Sequence, residues 1–385
     1  MHLAFLTPEY PHSQSTPSGG LGTSIKNLAE QLAKSNIQVT IFIFGQEKDF
    51  IVKENSINLY FIRKIKYKFF GWYRYRKYLE SYLNRVIKKE KISALEAPDW
   101  TGITAFIRLK CPLIIRMHGS DSYFCQLEGR PQKKKNFWFE KMALKHADHL
   151  ISVSNFTALK TREIFRLKKE IMVIPNLIDI DAFKPFEDEP TPHTILYFGS
   201  IVRKKGLLEL AHTFNIVHKC NPKIRLIMVG RDVIDIKTQR STRILFEEIL
   251  TEKARNNVLW TGNLPYNEVK QQISKAAVIG LPSFAEALPM TWLEAMAMEK
   301  ALVTSNIGWA KEVMQNGETG FMVYPKNHSL FGKKILDLME NKDMALRMGK
   351  AARDLVIKKF SKEIVLDQNI RFYKKIIDTK SNEPI

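Results

Sequence analysis

Cysteine is scarce in this chain, and long apolar runs are absent. Cys111, Cys125 and Cys220 are odd in number and widely scattered, so they match neither a disulfide framework nor the spacing of a zinc site. No apolar run approaches the roughly 20 residues that cross a bilayer. The N-terminal residues lack the basic start and long apolar stretch of a signal peptide. We therefore expect a cytosolic protein with reduced thiols.

Acidic residues are also in short supply. Forty Asp and Glu stand against 60 Lys and Arg, which gives a formal net charge of +20 at pH 7. The hydrophobic content of 45% is that of a folded protein, so the charge does not indicate disorder. A surplus of this size implies an anionic partner: phosphates, nucleic acid or an acidic membrane surface. Composition alone does not choose among the three.

Strands and helices are predicted to alternate in two successive blocks. The first block has a helix at 24–33 and strands at 3–6, 39–44, 113–117 and 150–153. Four prolines between positions 175 and 192 then disfavour helix and predict a linker. The second block has a helix from 206 and strands at 195–198, 225–229, 258–260, 278–281 and 301–304. This rhythm predicts two α/β domains with parallel sheets.

The strongest motif is a pair of glutamates, Glu286 and Glu294, on either side of the start of a predicted helix. Glu286 follows a buried strand, and Glu294 lies in an Ala- and Met-rich helix. The loop between them contains Ala287, Leu288, Pro289 and Met290. Free N–H groups and the positive dipole end at the start of this helix suit a diphosphate or sugar hydroxyls.

Three more loops follow predicted strands. Basic residues that include Arg203 and Lys205 follow the strand 195–198 and a glycine-containing turn, just before a predicted helix. His118 ends the strand 113–117, the position where α/β sheets place their ligands. A glycine-rich loop around Gly20 would let backbone N–H groups approach a phosphate or a sugar, although it lacks the dinucleotide-binding spacing.

Together these motifs resemble glycosyltransferase family 4, the retaining "glycosyl transferases group 1". The resemblance implies the GT-B fold, in which two Rossmann-like α/β domains face each other across a cleft. The N-terminal, acceptor-binding domain would span 1–183 and be rejoined by a helix at 361–385. The donor-binding domain would span 184–360. The implied activity moves a sugar from a UDP- or GDP-linked donor to a saccharide or lipid-linked saccharide, as in bacterial surface-polysaccharide assembly.

The resemblance also implies roles for single residues. Glu286 would hold donor-sugar hydroxyls in catalysis, Glu294 would take the ribose hydroxyls, and Lys205 would pair with the diphosphate. Arg203 is a candidate to replace a family arginine that is absent at Ser200. His118 would bond a sugar hydroxyl near the reacting carbon. Gly20 and the loop 287–290 would approach the donor.

No obligatory metal or other cofactor is expected, since the nucleotide sugar is itself a substrate. The Asp179-Ile180-Asp181 sequence mimics a D-x-D metal motif, but it lies in the predicted linker. Two alternatives to a family-4 transferase stay open. One is a basic protein that binds nucleic acid, and the other is a GT-B phosphorylase or a non-catalytic sugar-binding homologue. The first explains the charge but not the motifs, so nucleic acid is not an expected partner.

The segment 61–91 is both basic and aromatic. It contains eleven Lys and Arg, with only Glu80 and Glu90 as acidic residues, and nine aromatic residues are interleaved with them. A second basic run is Lys133-Lys134-Lys135. Such stretches suit an anionic membrane surface, which would place the protein peripherally on the inner face of the membrane. The alternative is an ordinary solvated helix that packs through Tyr75, Leu79, Tyr82 and Val86.

Overall fold

The computed structural model describes residues 1–15, 18–186 and 189–381, which belong to two compact α/β units. The first unit comprises Met1–Leu177 and the residues from Lys362 onward, and the second comprises Ile178–Ser361. The sequence placed these boundaries at 183/184 and 360/361. Residues 382–385 of the expected C-terminal helix lie outside the described part of the chain.

The first unit is built on an eight-stranded sheet in the order β3-β4-β2-β1-β5-β6-β7-β8. The strands are β1 (His2–Thr7), β2 (Gln38–Gln46), β3 (Phe50–Glu54), β4 (Ile57–Arg63), β5 (Ala94–Pro98), β6 (Leu113–Met117), β7 (His149–Ser152) and β8 (Met172–Val173). Only the pair β3 and β4 is antiparallel. The predicted parallel sheet is therefore confirmed.

Helices cover both faces of this sheet. They are α1 (Gly20–Lys34), α2 (Gly71–Glu90), α3 (Asp121–Glu128), α4 (Lys134–His146) and α5 (Asn155–Phe165). Along β1, Leu3 and Phe5 pack in the core that contains α1, while Ala4 and Leu6 pack in the core that contains α2 and α4. Successive strand residues point to opposite faces. A strand covered on both sides must therefore be apolar throughout.

The second unit repeats the plan with six parallel strands in the order β11-β10-β9-β12-β13-β14. The strands are β9 (Thr194–Phe198), β10 (Arg225–Val229), β11 (Val258–Gly262), β12 (Val278–Leu281), β13 (Leu302–Ser305) and β14 (Phe321–Val323). The helices are α6 (Leu207–Cys220), α7 (Thr242–Ile249), α8 (Glu252–Arg255), α9 (Tyr266–Lys275), α10 (Met290–Ala297), α11 (Ala310–Val313), α12 (His328–Glu340) and α13 (Lys342–Phe360).

Gly206 allows two loops of the second unit to touch. Its φ of +75° lies in the left-handed region, and a Cβ there would stand 1.9 Å from the carbonyl oxygen of Pro282. Next to this contact, the N–H of Phe284 donates to the carbonyl oxygen of Lys204 at 2.8 Å. No other residue type fits both the backbone angle and the space.

The last helix, α14 (Lys362–Ser381), is fixed to the first unit by buried charge. The Arg116 guanidinium donates to both oxygens of the Glu96 carboxylate, at 2.7 and 3.0 Å, and to Asn369 Oδ1 at 2.5 Å. The Tyr373 hydroxyl donates to Glu96 Oε2 at 2.7 Å. The Arg116 and Glu96 side chains are only 3% and 5% exposed, so the hydrogen bonds replace water that burial removes.

Among the described residues, no helix combines the length and apolar character that a membrane span requires.

We predict that Arg116→Leu destabilises the first unit strongly. The change leaves the Glu96 carboxylate buried without its cation, which should lower the free energy of unfolding by about 3–5 kcal/mol. Denaturant unfolding measures the difference. The control is Arg371→Leu on α14. Arg371 pairs with Asp367 at 2.8 Å, but its side chain is 79% exposed. Exposed pairs contribute at most about 1 kcal/mol. Equal losses would show that the buried network does not hold α14.

We also predict that Gly206→Ala destabilises the second unit more than Gly317→Ala. Both glycines have positive φ, +75° and +83°, so both alanines pay a left-handed cost of about 1–2 kcal/mol. Nothing lies within 4 Å of a Cβ at Gly317, whereas a Cβ at Gly206 meets backbone. Overpacking adds about 1–3 kcal/mol. Thermal unfolding measures the extra destabilisation of Gly206→Ala over Gly317→Ala. Identical unfolding midpoints would contradict the close contact of Gly206 with the Pro282 carbonyl.

Candidate functional site

The loops after β9 and β12 meet at one edge of the second sheet. These strands are parallel neighbours, so their carboxyl ends lie side by side. Lys205 Nζ lies 2.5 Å from Glu286 Oε1, and the Ser283 hydroxyl donates to the same oxygen at 2.9 Å. The two side chains are only 19% and 11% exposed. A largely buried cation therefore lies beside a carboxylate. This pair suits a ligand that carries both phosphates and hydroxyls.

Glu294 lies close to this pair, on α10. Its side chain is buried, and the Tyr266 hydroxyl donates to its Oε1 at 2.5 Å. Burial raises the pKa of Glu294 to about 6, and this rise is opposed by the Tyr266 hydrogen bond and by the charge of Lys205. Tyr266 did not stand out in the sequence, because a tyrosine that begins a helix gives no signal of its partner 28 residues later.

The loop between the two glutamates leads into α10. Ala287, Leu288 and Met290 are buried. Pro289 occupies the N-cap position, and no side chain caps the helix there. Proline has neither an N–H group nor a polar side chain. The N–H groups of the first helical turn are therefore left to a ligand or to solvent.

Arg203 lies in the same region but is engaged elsewhere. Its guanidinium donates to both oxygens of Asp235, each at 2.8 Å. The hydrogen bond from Arg203 is the main reason why the pKa of Asp235 falls to about 2. Thr238 donates to Asp235 as well. Arg203 therefore ties its loop to the segment after β10, and the structure does not bring it together with Lys205 and Glu286 by any described contact.

In the first unit, His118 follows β6, and most of its surface is buried. Burial, aided by the positive charge of Arg116, lowers the pKa of its imidazole to about 3. The ring is therefore neutral at physiological pH and can exchange hydrogen bonds with a hydroxyl without carrying charge. It lines a small recess whose other polar side chains are Ser24, Glu96, Arg116, Asn176 and Asn369.

Asp99 positions the His118 loop, and sequence reasoning missed it. Asp99 directly follows β5, is fully buried, and accepts the His118 N–H on Oδ1 at 3.0 Å. Burial, reinforced by the charge of Glu140, raises the pKa of Asp99 to about 8. The available signal was its place after a strand adjacent to that of His118, but β5 itself was not predicted.

The glycine-rich loop is occupied by the chain's own carboxylate. Glu9 Oε1 accepts the N–H groups of Gly19 and Gly22, each at 3.0 Å. Gly20 differs from these two, since a Cβ there would meet nothing within 4 Å. The N–H groups of Gly19 and Gly22 are therefore already engaged by Glu9, and the approach of a phosphate or a sugar to Gly20 stays a prediction.

Across the described ranges, no group of three or more His, Cys, Asp or Glu side chains is arranged to hold a metal ion. The Asp179 carboxylate of the D-x-D sequence accepts the N–H of Asp181 at 3.0 Å, which closes a local turn.

Two family models match the chain in succession. "Glycosyltransferase Family 4" matches residues 18–182, and "Glycosyl transferases group 1" matches residues 179–355. The α-maltose-1-phosphate synthase of Mycolicibacterium smegmatis is 25% identical, over 98% of this chain and 100% of that protein.

Solved structures share the fold. The sucrose-phosphate synthase of Thermosynechococcus elongatus has a TM-score of 0.80 at 18% identity and covers 98% of this chain and 99% of its own. The HepE protein of Anabaena, solved in complex with UDP-glucose, has a TM-score of 0.74 at 17% identity, over the full length of both chains. This chain belongs to the GT4-type glycosyltransferases and has the α/β GT-B fold.

Proposed function

We propose that this glycosyltransferase takes a sugar from a UDP- or GDP-linked donor and transfers it, with retention, to a saccharide or lipid-linked saccharide. The contact between Lys205 and Glu286, with Glu294 beside it, carries the proposal. It offers a cation for a diphosphate and two carboxylates for hydroxyls at one sheet edge. The UDP-glucose bound by the HepE protein supports a nucleotide-sugar donor. The second unit would bind this donor and the first unit the acceptor.

The chemistry demands charge stabilisation more than a base. The acceptor oxygen forms a bond to the anomeric carbon on the side from which the diphosphate departs, and a phosphate oxygen takes the acceptor's proton. Lys205 would neutralise charge that grows on the diphosphate, and Glu286 and Glu294 would accept hydrogen bonds from hydroxyls of the sugar and the ribose. The neutral His118 would bond a sugar hydroxyl. No metal is part of this proposal, so activity should survive addition of a chelator. Retention is tested by NMR, which compares the anomeric configuration of the product with that of the donor.

We predict that Lys205→Ala and Glu294→Ala each weaken nucleotide-sugar binding. Loss of a charged hydrogen bond costs about 1.5–3 kcal/mol, or roughly 10- to 150-fold in Kd. Calorimetry against UDP- and GDP-sugars measures the affinity and identifies the base. Lys223→Ala is the control, because Lys223 is exposed and precedes β10, at the opposite edge of the same sheet.

Equal affinity in all three variants would refute the donor site. If no nucleotide binds the unaltered protein but a disaccharide is cleaved with phosphate, the phosphorylase alternative gains. If neither occurs, the non-catalytic alternative gains. A sharply salt-dependent affinity for nucleic acid would instead favour the explanation prompted by the +20 charge.

We predict that donor binding weakens as the pH falls through about 6. The pKa of Glu294 is raised to about 6, so acidification protonates the carboxylate and removes an acceptor for ribose hydroxyls. If only the ionised form binds, Kd rises about tenfold one pH unit below that pKa. The titration uses the nucleotide sugar, whose phosphates are diesters and keep their charge. Glu294→Gln should bind weakly at every pH, and an unchanged pH dependence in this variant would assign the effect to another group.

A further inference from the structure

The first unit exposes aromatic side chains that a folded core would normally bury. Phe69 and Phe70 are 65% and 73% exposed, Tyr73 is 40% exposed, and Trp138 is 46% exposed. Exposed lysines surround them at positions 64, 66, 68, 133, 134 and 135. We call this set, residues 64–74 and 133–138, the basic aromatic face. Large apolar groups left in solvent beside charge of one sign are typical of a binding surface.

The two parts of the basic aromatic face form one surface. Ring centroids of Tyr73 and Phe106 are 6.0 Å apart, and those of Phe106 and Trp138 are 5.1 Å apart. Lys135 from the second part lies 5.6 Å from the ring of Trp72 in the first. Phe106 thus bridges the start of α2 to the start of α4.

The rest of the basic and aromatic segment has a structural role. Leu79 and Val86 are in the core, and Tyr75 and Tyr82 pack against it. Arg76 is buried: its guanidinium donates to the carbonyl oxygen of Gly102 at 3.0 Å and lies 4.2 Å from the Phe139 ring centroid. The packing explanation therefore holds for the back of α2. It also holds for Trp72, but it does not account for Phe69, Phe70 and Tyr73.

Chain topology places the basic aromatic face at the same sheet edge as His118. The loop 64–70 leaves the carboxyl end of β4, and α2 begins there before it returns to the start of β5. The helix α4 likewise begins beyond β6 and returns to the start of β7. Because β4, β5 and β6 run parallel within one sheet, both helix starts lie at the edge where His118 and Asp99 follow their strands.

The conformation and charge of this surface favour a ligand outside the protein. Phe70 has a φ of +50°, an unusual and costly angle for a bulky residue, yet its ring remains mostly in solvent. In the described part of the chain, no carboxylate pairs with Lys64, Lys66, Lys133 or Lys134. The first unit has 34 of the 60 lysines and arginines but only 19 of the 40 acidic residues.

We propose that the basic aromatic face binds the surface of an anionic bilayer. The rings of Phe69, Phe70 and Trp138 enter the headgroup region, where aromatic side chains are favoured, while the lysines contact lipid phosphates. Consecutive phenylalanines at a loop suit insertion into an interface, whereas platforms for nucleic acid bases space their rings along a groove. Given the transferase function proposed above, docking would bring a lipid-linked acceptor to the edge that holds His118.

Vesicle sedimentation of the full chain tests this proposal. The vesicles contain phosphatidylcholine alone or with phosphatidylglycerol, at low and at physiological salt. The variants are Phe69→Ala with Phe70→Ala, and Lys133→Glu with Lys134→Glu. Their matched controls lie in the second unit: Leu259→Ala, whose side chain is 57% exposed, and Lys358→Glu with Lys359→Glu, two adjacent exposed lysines on α13.

The unaltered protein should sediment with the anionic vesicles, and each face variant should lower the partition coefficient at least about tenfold. The controls should change it less than about twofold, and nucleotide-sugar affinity should be unchanged in all variants. Absence of binding at low salt would overturn the proposal. Equal losses in the two double-lysine variants would overturn it as well, since net charge alone would then explain the effect.

Preference for single-stranded oligonucleotide over vesicles would likewise overturn it. Nucleotide-sugar affinity in the same samples separates two kinds of failure. Lost vesicle binding with intact donor binding removes the docking surface and leaves the transferase. Intact vesicle binding without donor binding removes the proposed function and leaves the docking surface.

Discussion

The close passage of the Gly206 backbone against the Pro282 carbonyl is the constraint on which the contact between Lys205 and Glu286 depends. It brings together two loops that are far apart in the sequence, so that Lys205 meets Glu286 across 81 residues. A side chain at position 206 would separate the loops by about the length of a bond. The cation and the carboxylate would then no longer share a site. Glycine is required here for space as well as for its backbone angle.

The second unit uses its two candidate cations in different ways. Arg203 and Asp235 form a bidentate pair whose carboxylate is also bonded by Thr238, so little is left for a ligand to satisfy. Lys205 instead makes a single contact with a carboxylate that Ser283 also bonds. An ammonium group has three donors, and one contact leaves the others for oxygens of a bound diphosphate. This difference, rather than the number of basic residues, supports the proposal that Lys205 is the cation for the donor.

Sequence patterns predicted what depends on local periodicity and missed what depends on distant partners. The strands β6, β10 and β12 begin and end where the apolar runs indicated. The strand β5 was missed because it contains Glu96 and ends at Pro98, residues that disfavour strands. Glu96 is tolerated there only because Arg116, 20 residues later, neutralises it. The missed strand also concealed Asp99.

The segment 61–91 shows why composition could not separate packing from binding. In a helix that is buried on one side, residues of the buried and the exposed side alternate along the sequence. Basic and aromatic residues occur on both sides here, so the sequence alone does not sort them. The structure assigns Leu79 and Arg76 to the core and leaves Phe69 and Phe70 in solvent. Packing therefore explains the buried side of the helix, and the binding proposal concerns the exposed residues of the preceding loop and the helix start. Most of the charge surplus lies in the unit that contains His118, and the exposed aromatic residues lie at the same sheet edge as His118. That shared edge is a stronger argument for a common role than net charge.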